Sequence, residues 1–140
     1  VPYALWQAEH ASRLALDHAL AGLDISLTQF GALVHLARES GLSTAELARR
    51  NLVTPQNMGM AVGRLETQGY LRRTPPSFGR VAELHLTPKG HEVLRQAVGR
   101  IQSVQARMTD LLTPAEQAAL PDLLRRCRLG LQRRPLLGTA

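Results

Sequence analysis

Residues 43–90 restrict the fold more tightly than any other part of this 140-residue sequence. Ser43-Thr-Ala-Glu-Leu-Ala-Arg-Arg50 reads as a short helix and Asn51-Leu-Val53 as a three-residue turn. Thr54-Pro55 then opens a second helix that runs to about Gln68 and stops at Gly69. Along this second helix Met58, Ala61, Val62 and Leu65 recur at three- and four-residue spacing. They fall on one face and leave Gln56, Asn57, Met60 and Arg64 on the other. Residues 71–74 and 81–86 read as two strands, with Ala82, Leu84 and Leu86 facing inward by alternation. The connection Pro75-Pro76-Ser77-Phe78-Gly79-Arg80 has a stiff entry and a flexible tip that ends in a guanidinium.

The flanking segments are helical. From Tyr3 to about Ala21, strong helix formers place Leu5, Trp6, Ala11, Leu14, Ala15 and Leu20 in a broad apolar stripe before Gly22. Ser26 with Gln29 makes a capping box, and Phe30, Leu33, Val34 and Ala37 hold one face of a second helix until Gly41. Thr-Pro stands at three expected helix starts, Thr54-Pro55, Thr87-Pro88 and Thr113-Pro114, where threonine caps and proline needs no amide partner. Leu94, Ala97, Ile101, Val104, Met108 and Leu111 form the seam of a long fifth helix, expected over 88–112. Glu116 completes a capping box with Thr113, and Leu120, Leu123, Leu124, Cys127 and Leu131 form the stripe of helix six. Pro121 predicts a kink or a divided helix near 117–121. The order is that of a mainly α protein: a winged helix-turn-helix with a small β-hairpin wing (26–87), flanked by helical segments (1–25 and 88–140). A composition of 44% hydrophobic but only 4% aromatic residues suits helices better than a sandwich.

The net charge is +6, and 16 of the 17 basic residues are arginine, Lys89 being the exception. Arginine suits bidentate contact with phosphate or guanine, so nucleic acid is the first partner to consider. Solvated helix faces are the bland alternative. One cysteine, Cys127, allows neither an intramolecular disulfide nor a zinc-finger spacing, and points to a reducing cytoplasm. No apolar run approaches the roughly 18 residues of a membrane span, and the first residues do not have the pattern of a signal segment. His10, His18, His35, His85 and His91 are scattered. With no nucleophile elbow, phosphate loop, carboxylate pair or metal cluster, we expect neither an enzyme nor a cofactor.

The motifs resemble the multiple-antibiotic-resistance regulator (MarR) family of bacterial transcription factors. Five pieces carry the likeness: Leu27-Thr28-Gln29-Phe30; Leu42-Ser43-Thr44-Ala45-Glu46-Leu47-Ala48; Val53-Thr54-Pro55-Gln56-Asn57-Met58; Arg64-Leu65-Glu66 with Gly69-Tyr70-Leu71 and Arg73; and Arg80 followed by Leu84-His85-Leu86-Thr87-Pro88-Lys89-Gly90. The resemblance implies an obligate homodimer in which helices one, five and six interlock, so that 1–25 and 88–140 form a helical dimerisation region within a single intertwined domain. Two winged regions then face a palindromic operator, and a small aromatic anion binding between dimer core and winged region releases it. Repression is the commoner outcome in that family. The apolar stripes of helices one, five and six independently argue for burial against a second chain. Two positions depart from the family pattern. Phe78 stands where an acidic residue often precedes the wing arginine, and Gly59-Met60 where a hydroxyl and then a basic residue are common. Specificity is therefore expected to rest on Gln56, Asn57, the wing and DNA shape.

The expected DNA-binding residues are Thr44, Arg49, Thr54, Gln56, Asn57, Met60, Arg64, Arg72, Arg73 and Arg80. Thr54, Gln56 and Asn57 approach base edges or phosphates at a helix N-terminus whose dipole favours anions. Thr44, Arg49, Arg64, Arg72 and Arg73 serve the backbone, and Arg80 the minor groove. For Arg64 an ion pair within the protein is the competing reading. The effector candidates are Trp6, His10 and Arg13 on helix one with Phe30, Val34 and His35 on helix two; core packing is the alternative for the tryptophan. A winged-helix protein-interaction module without specific DNA binding, using Met58, Gly59 and Met60, is a different functional class. So is a cysteine-based redox response, although Cys127 within an apolar stripe reads first as a packed small hydrophobe.

Overall fold

The computed structural model describes residues 1–75, 77 and 79–133. Six helices and one hairpin follow in the order α1 (Pro2–Ala21), α2 (Leu27–Arg38), α3 (Thr44–Asn51), α4 (Pro55–Thr67), β1 (Leu71–Arg73), β2 (Leu84–Leu86), α5 (Pro88–Thr109) and α6 (Pro114–Arg133). They divide into two compact units, Val1–Val104 and a second that begins at Gln105.

In the first unit the starts of α2, α3, α4 and α5 are fixed by side-chain caps. The Ser26 hydroxyl accepts from Gln29 N–H while Gln29 Oε1 accepts from Ser26 N–H, a reciprocal box that satisfies two otherwise free amides. Ser43 and Glu46 form a second such box at α3, one that went unremarked in the sequence. Its hydrogen bonds from the Ser43 amide and hydroxyl group lower the Glu46 pKa. Thr54 caps α4 by accepting from Asn57 N–H at 3.1 Å, and Thr87 caps α5 by accepting from Gly90 N–H at 3.0 Å. Gly69, at φ 77°, leaves α4 through the left-handed region that glycine enters freely.

The core joins Leu20 and Ile25 to Ala32, Leu33 and Leu36 of α2, Leu47 and Ala48 of α3, and Met58, Ala61, Val62 and Leu65 of α4. Leu71, Leu84, Val93 and Ala97 close it from the hairpin and α5. At about 1.5–3 kcal/mol for each large apolar side chain, this burial is the main stabilising term of the unit. α4 buries the four residues its periodicity selects. α2 differs from expectation: Gln29, Ala32, Leu33 and Leu36 are buried, Phe30 and Val34 are half-buried and Ala37 is exposed. The apolar residues nearly encircle α2, so periodicity alone did not choose the inward side.

β1 and β2 pair antiparallel in the register Leu71↔Leu86, Arg72↔His85, Arg73↔Leu84. The strands are shorter than the expected 71–74 and 81–86. Beyond Arg73, the Thr74 side chain takes over, donating to Glu83 O and accepting from Glu83 N–H. Leu84 also bridges to Leu42 in the turn before α3, a pairing too distant in sequence to be read from it. Gly90 lies so close to the wing that a Cβ there would stand 1.9 Å from Tyr70 O.

In the second unit Thr113 and Glu116 cap α6, and Gln117 Nε2 donates to Thr109 O and Leu112 O, the free carbonyls left by α5. α5 ends at Thr109 rather than near Leu112. α6 passes through Pro121 as one continuous helix, so of the two expected outcomes the division does not occur. Pro121 and Gln117 are both exposed, so solvent can satisfy the carbonyl that proline leaves free. Within α6, Leu123, Leu124 and Leu131 are exposed, and Cys127 is exposed rather than packed.

Candidate nucleic-acid interface

α3 and α4 are set against each other by a turn that costs some strain. Leu52 adopts φ 55°, a left-handed conformation rare for a branched side chain, and Val53 N–H returns to Ala48 O at 3.1 Å. The turn aims α4 so that Met58, Ala61, Val62 and Leu65 face the core while Gln56, Asn57, Met60 and Arg64 are all exposed. At its N-terminus the Thr54 hydroxyl accepts from the Asn57 amide and Thr54 O from the Met58 amide, while Pro55 has no N–H to satisfy. The positive end of the helix dipole faces solvent beside two side-chain amides, a setting that attracts a phosphate or reads a base edge.

The other expected contacts behave in three ways. Arg49, Arg72 and Arg80 are exposed. Arg80 closes a turn with its N–H on Ser77 O at 2.9 Å, next to Gly79 at φ 73°. Pro76 and Phe78, the latter one of the two family departures, lie outside the described residues. Thr44 is half-buried at the first position of α3. Arg64 and Arg73, by contrast, are engaged by carboxylates. Arg73 donates through Nε and Nη2 to both Glu66 oxygens, at 3.2 and 3.0 Å, and this hydrogen bonding raises its pKa. Arg64 Nη2 lies 2.6 Å from Asp24 Oδ1, so the intramolecular ion pair weighed for it is the observed state.

The C-terminal end of α4 is fixed by a set of bonds that sequence reasoning missed. Gln68 Oε1 accepts from the buried Gln29 side chain at 2.9 Å, and Gln68 Nε2 donates to Asp24 O at 2.7 Å. Gln68 O accepts from Lys89 Nζ at 2.9 Å. One residue thus joins α4 to α2, to the α1–α2 turn and to the first turn of α5. Nothing in local composition marks it, since each partner is remote in sequence.

The six effector candidates are divided. Trp6 stacks between Tyr3 and His10, with ring centroids 5.7 Å apart in each pair, on an exposed face of α1. Arg13 is paired with Glu9. Phe30 packs against the core, with Val34 and His35 half-buried. Burial, then the charges of Arg50 and Arg38, hold His35 below its ordinary pKa. A shallow cleft of about 280 Å³ is lined instead by Ser26, Thr28, Gln29, Asn57, Met60, Ala61 and Arg64. Among the described residues no group of three His, Cys, Asp or Glu side chains is placed to hold a metal, and no helix is long and apolar enough to cross a membrane.

A short helix, a tight turn, a second helix with a buried back and exposed amides, and a basic hairpin define a winged helix-turn-helix. Residues 23–80 match the model of the MarR family. The HTH-type transcriptional repressor Rv2887 of Mycobacterium tuberculosis is 32% identical over 123 residues, covering 87% of this chain and 88% of that protein. The crystal structure of Rv2887 in complex with DNA has a TM-score of 0.77 at 29% identity, covering 91% of this chain and 96% of the other. Its complex with p-aminosalicylic acid has a TM-score of 0.75 at 31% identity, covering 91% and 97%. The chain belongs to the MarR family of winged helix-turn-helix regulators.

Proposed function

We propose that this chain is a cytoplasmic, homodimeric, sequence-specific DNA-binding repressor, released from a palindromic operator by a small aromatic anion. The observation that carries the reading is α4: its back is buried and its first turn presents the side-chain amides of Gln56 and Asn57 to solvent. Its likeness to a protein solved on DNA supports the same reading. Thr54, Gln56, Asn57 and Met60 enter the major groove, Arg49 and Arg72 meet phosphates from either side, and Arg80 reaches the minor groove from the wing. Thr44 and Arg73 contribute at the edge of this footprint.

Dimerisation is supported by apolar side chains left uncovered in each unit: Leu5, Trp6 and Leu14 in the first, Met108, Leu111, Leu123, Leu124 and Leu131 in the second. A second copy covers them and sets two recognition helices about 34 Å apart, one turn of duplex. An effector that prefers a mismatched spacing then releases DNA. The stacked Trp6–His10 row and Arg13 offer an aromatic surface and a cation for such a ligand.

Selection of bound sites from random duplexes tests the reading. An inverted repeat with half-sites one helical turn apart is expected, and no enrichment over the starting pool would sink it. Arg80→Ala should weaken binding to the enriched site and reduce the salt slope by about 0.9. An unchanged slope would remove the wing from the interface.

A further inference from the structure

Asp24 stands in the turn between α1 and α2 in the left-handed conformation, φ 53°. Two bonds tie it to the C-terminal half of α4: its carbonyl accepts from Gln68 Nε2 at 2.7 Å, and its carboxylate takes Arg64 Nη2 at 2.6 Å. Arg64 follows Asn57 and Met60 at helical spacing on the same exposed face of α4. An acid is therefore fixed against a guanidinium on the face expected to meet a polyanion. Both side chains are open to water, 56% and 79% exposed, so the pair is weakly held and a phosphate can compete for the arginine.

We propose that Asp24 is an internal competitor for Arg64: duplex binding must break this ion pair, and Asp24 thereby sets the affinity and salt dependence of the protein for DNA. The inference rests on the reading of α4 as the DNA-facing helix. Two effects act in the same direction. The carboxylate occupies the donor a phosphate would use, and once displaced it remains within about one Debye length, ~8 Å, of the phosphates it repels. Asparagine isolates both effects, because Asp24→Asn keeps an acceptor oxygen at the same place and tolerates the left-handed backbone.

The test is fluorescence anisotropy of the full chain, as wild type, D24N, R64A and the double variant. The probes are a labelled mixed-sequence duplex and a duplex enriched by wild-type selection, each across a salt series. D24N is expected to bind both duplexes about two- to fivefold more tightly, as expected for freeing one exposed pair. Its salt slope should steepen by about 0.9. In the R64A background the same substitution should leave the slope unchanged and give a smaller gain, the repulsion alone. Unchanged or weaker binding by D24N overturns the inference, as does an equal gain without Arg64, which would reflect net charge alone. If wild type enriches no sequence yet D24N tightens on the mixed duplex as described, the inference stands and the operator reading falls. Binding of neither duplex at low salt overturns both.

Discussion

α4 and α6 are built from the same sequence grammar and end in opposite environments. Each opens on Thr-Pro and carries apolar residues at three- and four-residue spacing. α4 buries Met58, Ala61, Val62 and Leu65 within its own chain, whereas no described residue of α6 is buried. Periodicity thus states that a helix has an apolar side; it does not state what covers it. The covering of α4 comes from α2, α3 and the hairpin, while the stripe of α6 is left for a second copy under the proposed assembly.

The comparison breaks most sharply on core truncation. Leu65→Ala should cost about 2–5 kcal/mol in denaturant unfolding compared with wild type at one protein concentration. Leu123→Glu on α6 should leave the chain folded and shift sedimentation from dimer to monomer. A dimer indifferent to that change would mean that α6 is not where copies meet. A smaller effect is expected where the wing meets α5. Gly90→Ala drives a methyl group into the Tyr70 carbonyl and should lower stability by about 1–3 kcal/mol in a thermal melt. An unaltered melting temperature would mean that this junction has room to shift.

The smallest effect separates the two helix starts. Hydrogen bonds from the Thr113 amide and hydroxyl group hold Glu116 below its usual 4.5, so its cap stabilises α6 above that pH. The contribution is lost as pH falls through the lower folded value. The cap of α4, Thr54 with Asn57, contains no titrating group. Acidification should therefore reduce amide protection in the first turn of α6 before that of α4, and Glu116→Gln should flatten the response. Simultaneous loss at both starts would count against the carboxylate.

Much of this was legible before the structure. The three Thr-Pro pairs located α4, α5 and α6 because proline at the first helical position and threonine at the cap are local chemistry, independent of tertiary context. The inward side of α4 was legible because its polar and apolar residues separate cleanly. The same argument failed on α2, where the buried Gln29 spends its polarity on Ser26 and Gln68. For the site, sequence gave exposure at Gln56, Asn57 and Arg80 but not the state of Arg64 and Arg73. Their carboxylates, Asp24 and Glu66, are chosen by how the chain folds back, and Asp24 lies 40 positions from the arginine it holds.

Gln68 has a mechanical consequence. Three segments grip the C-terminal end of α4, and Met58, Ala61, Val62 and Leu65 anchor its back along its length, so the helix presents its exposed side as a rigid rod. Its 13 residues span about 20 Å, so a tilt of ~5° imposed at Gln68 would sweep Gln56 and Asn57 through nearly 2 Å. That displacement is enough to part a donor from its acceptor, so the bonds at Gln68 help to keep the far end of the rod in register.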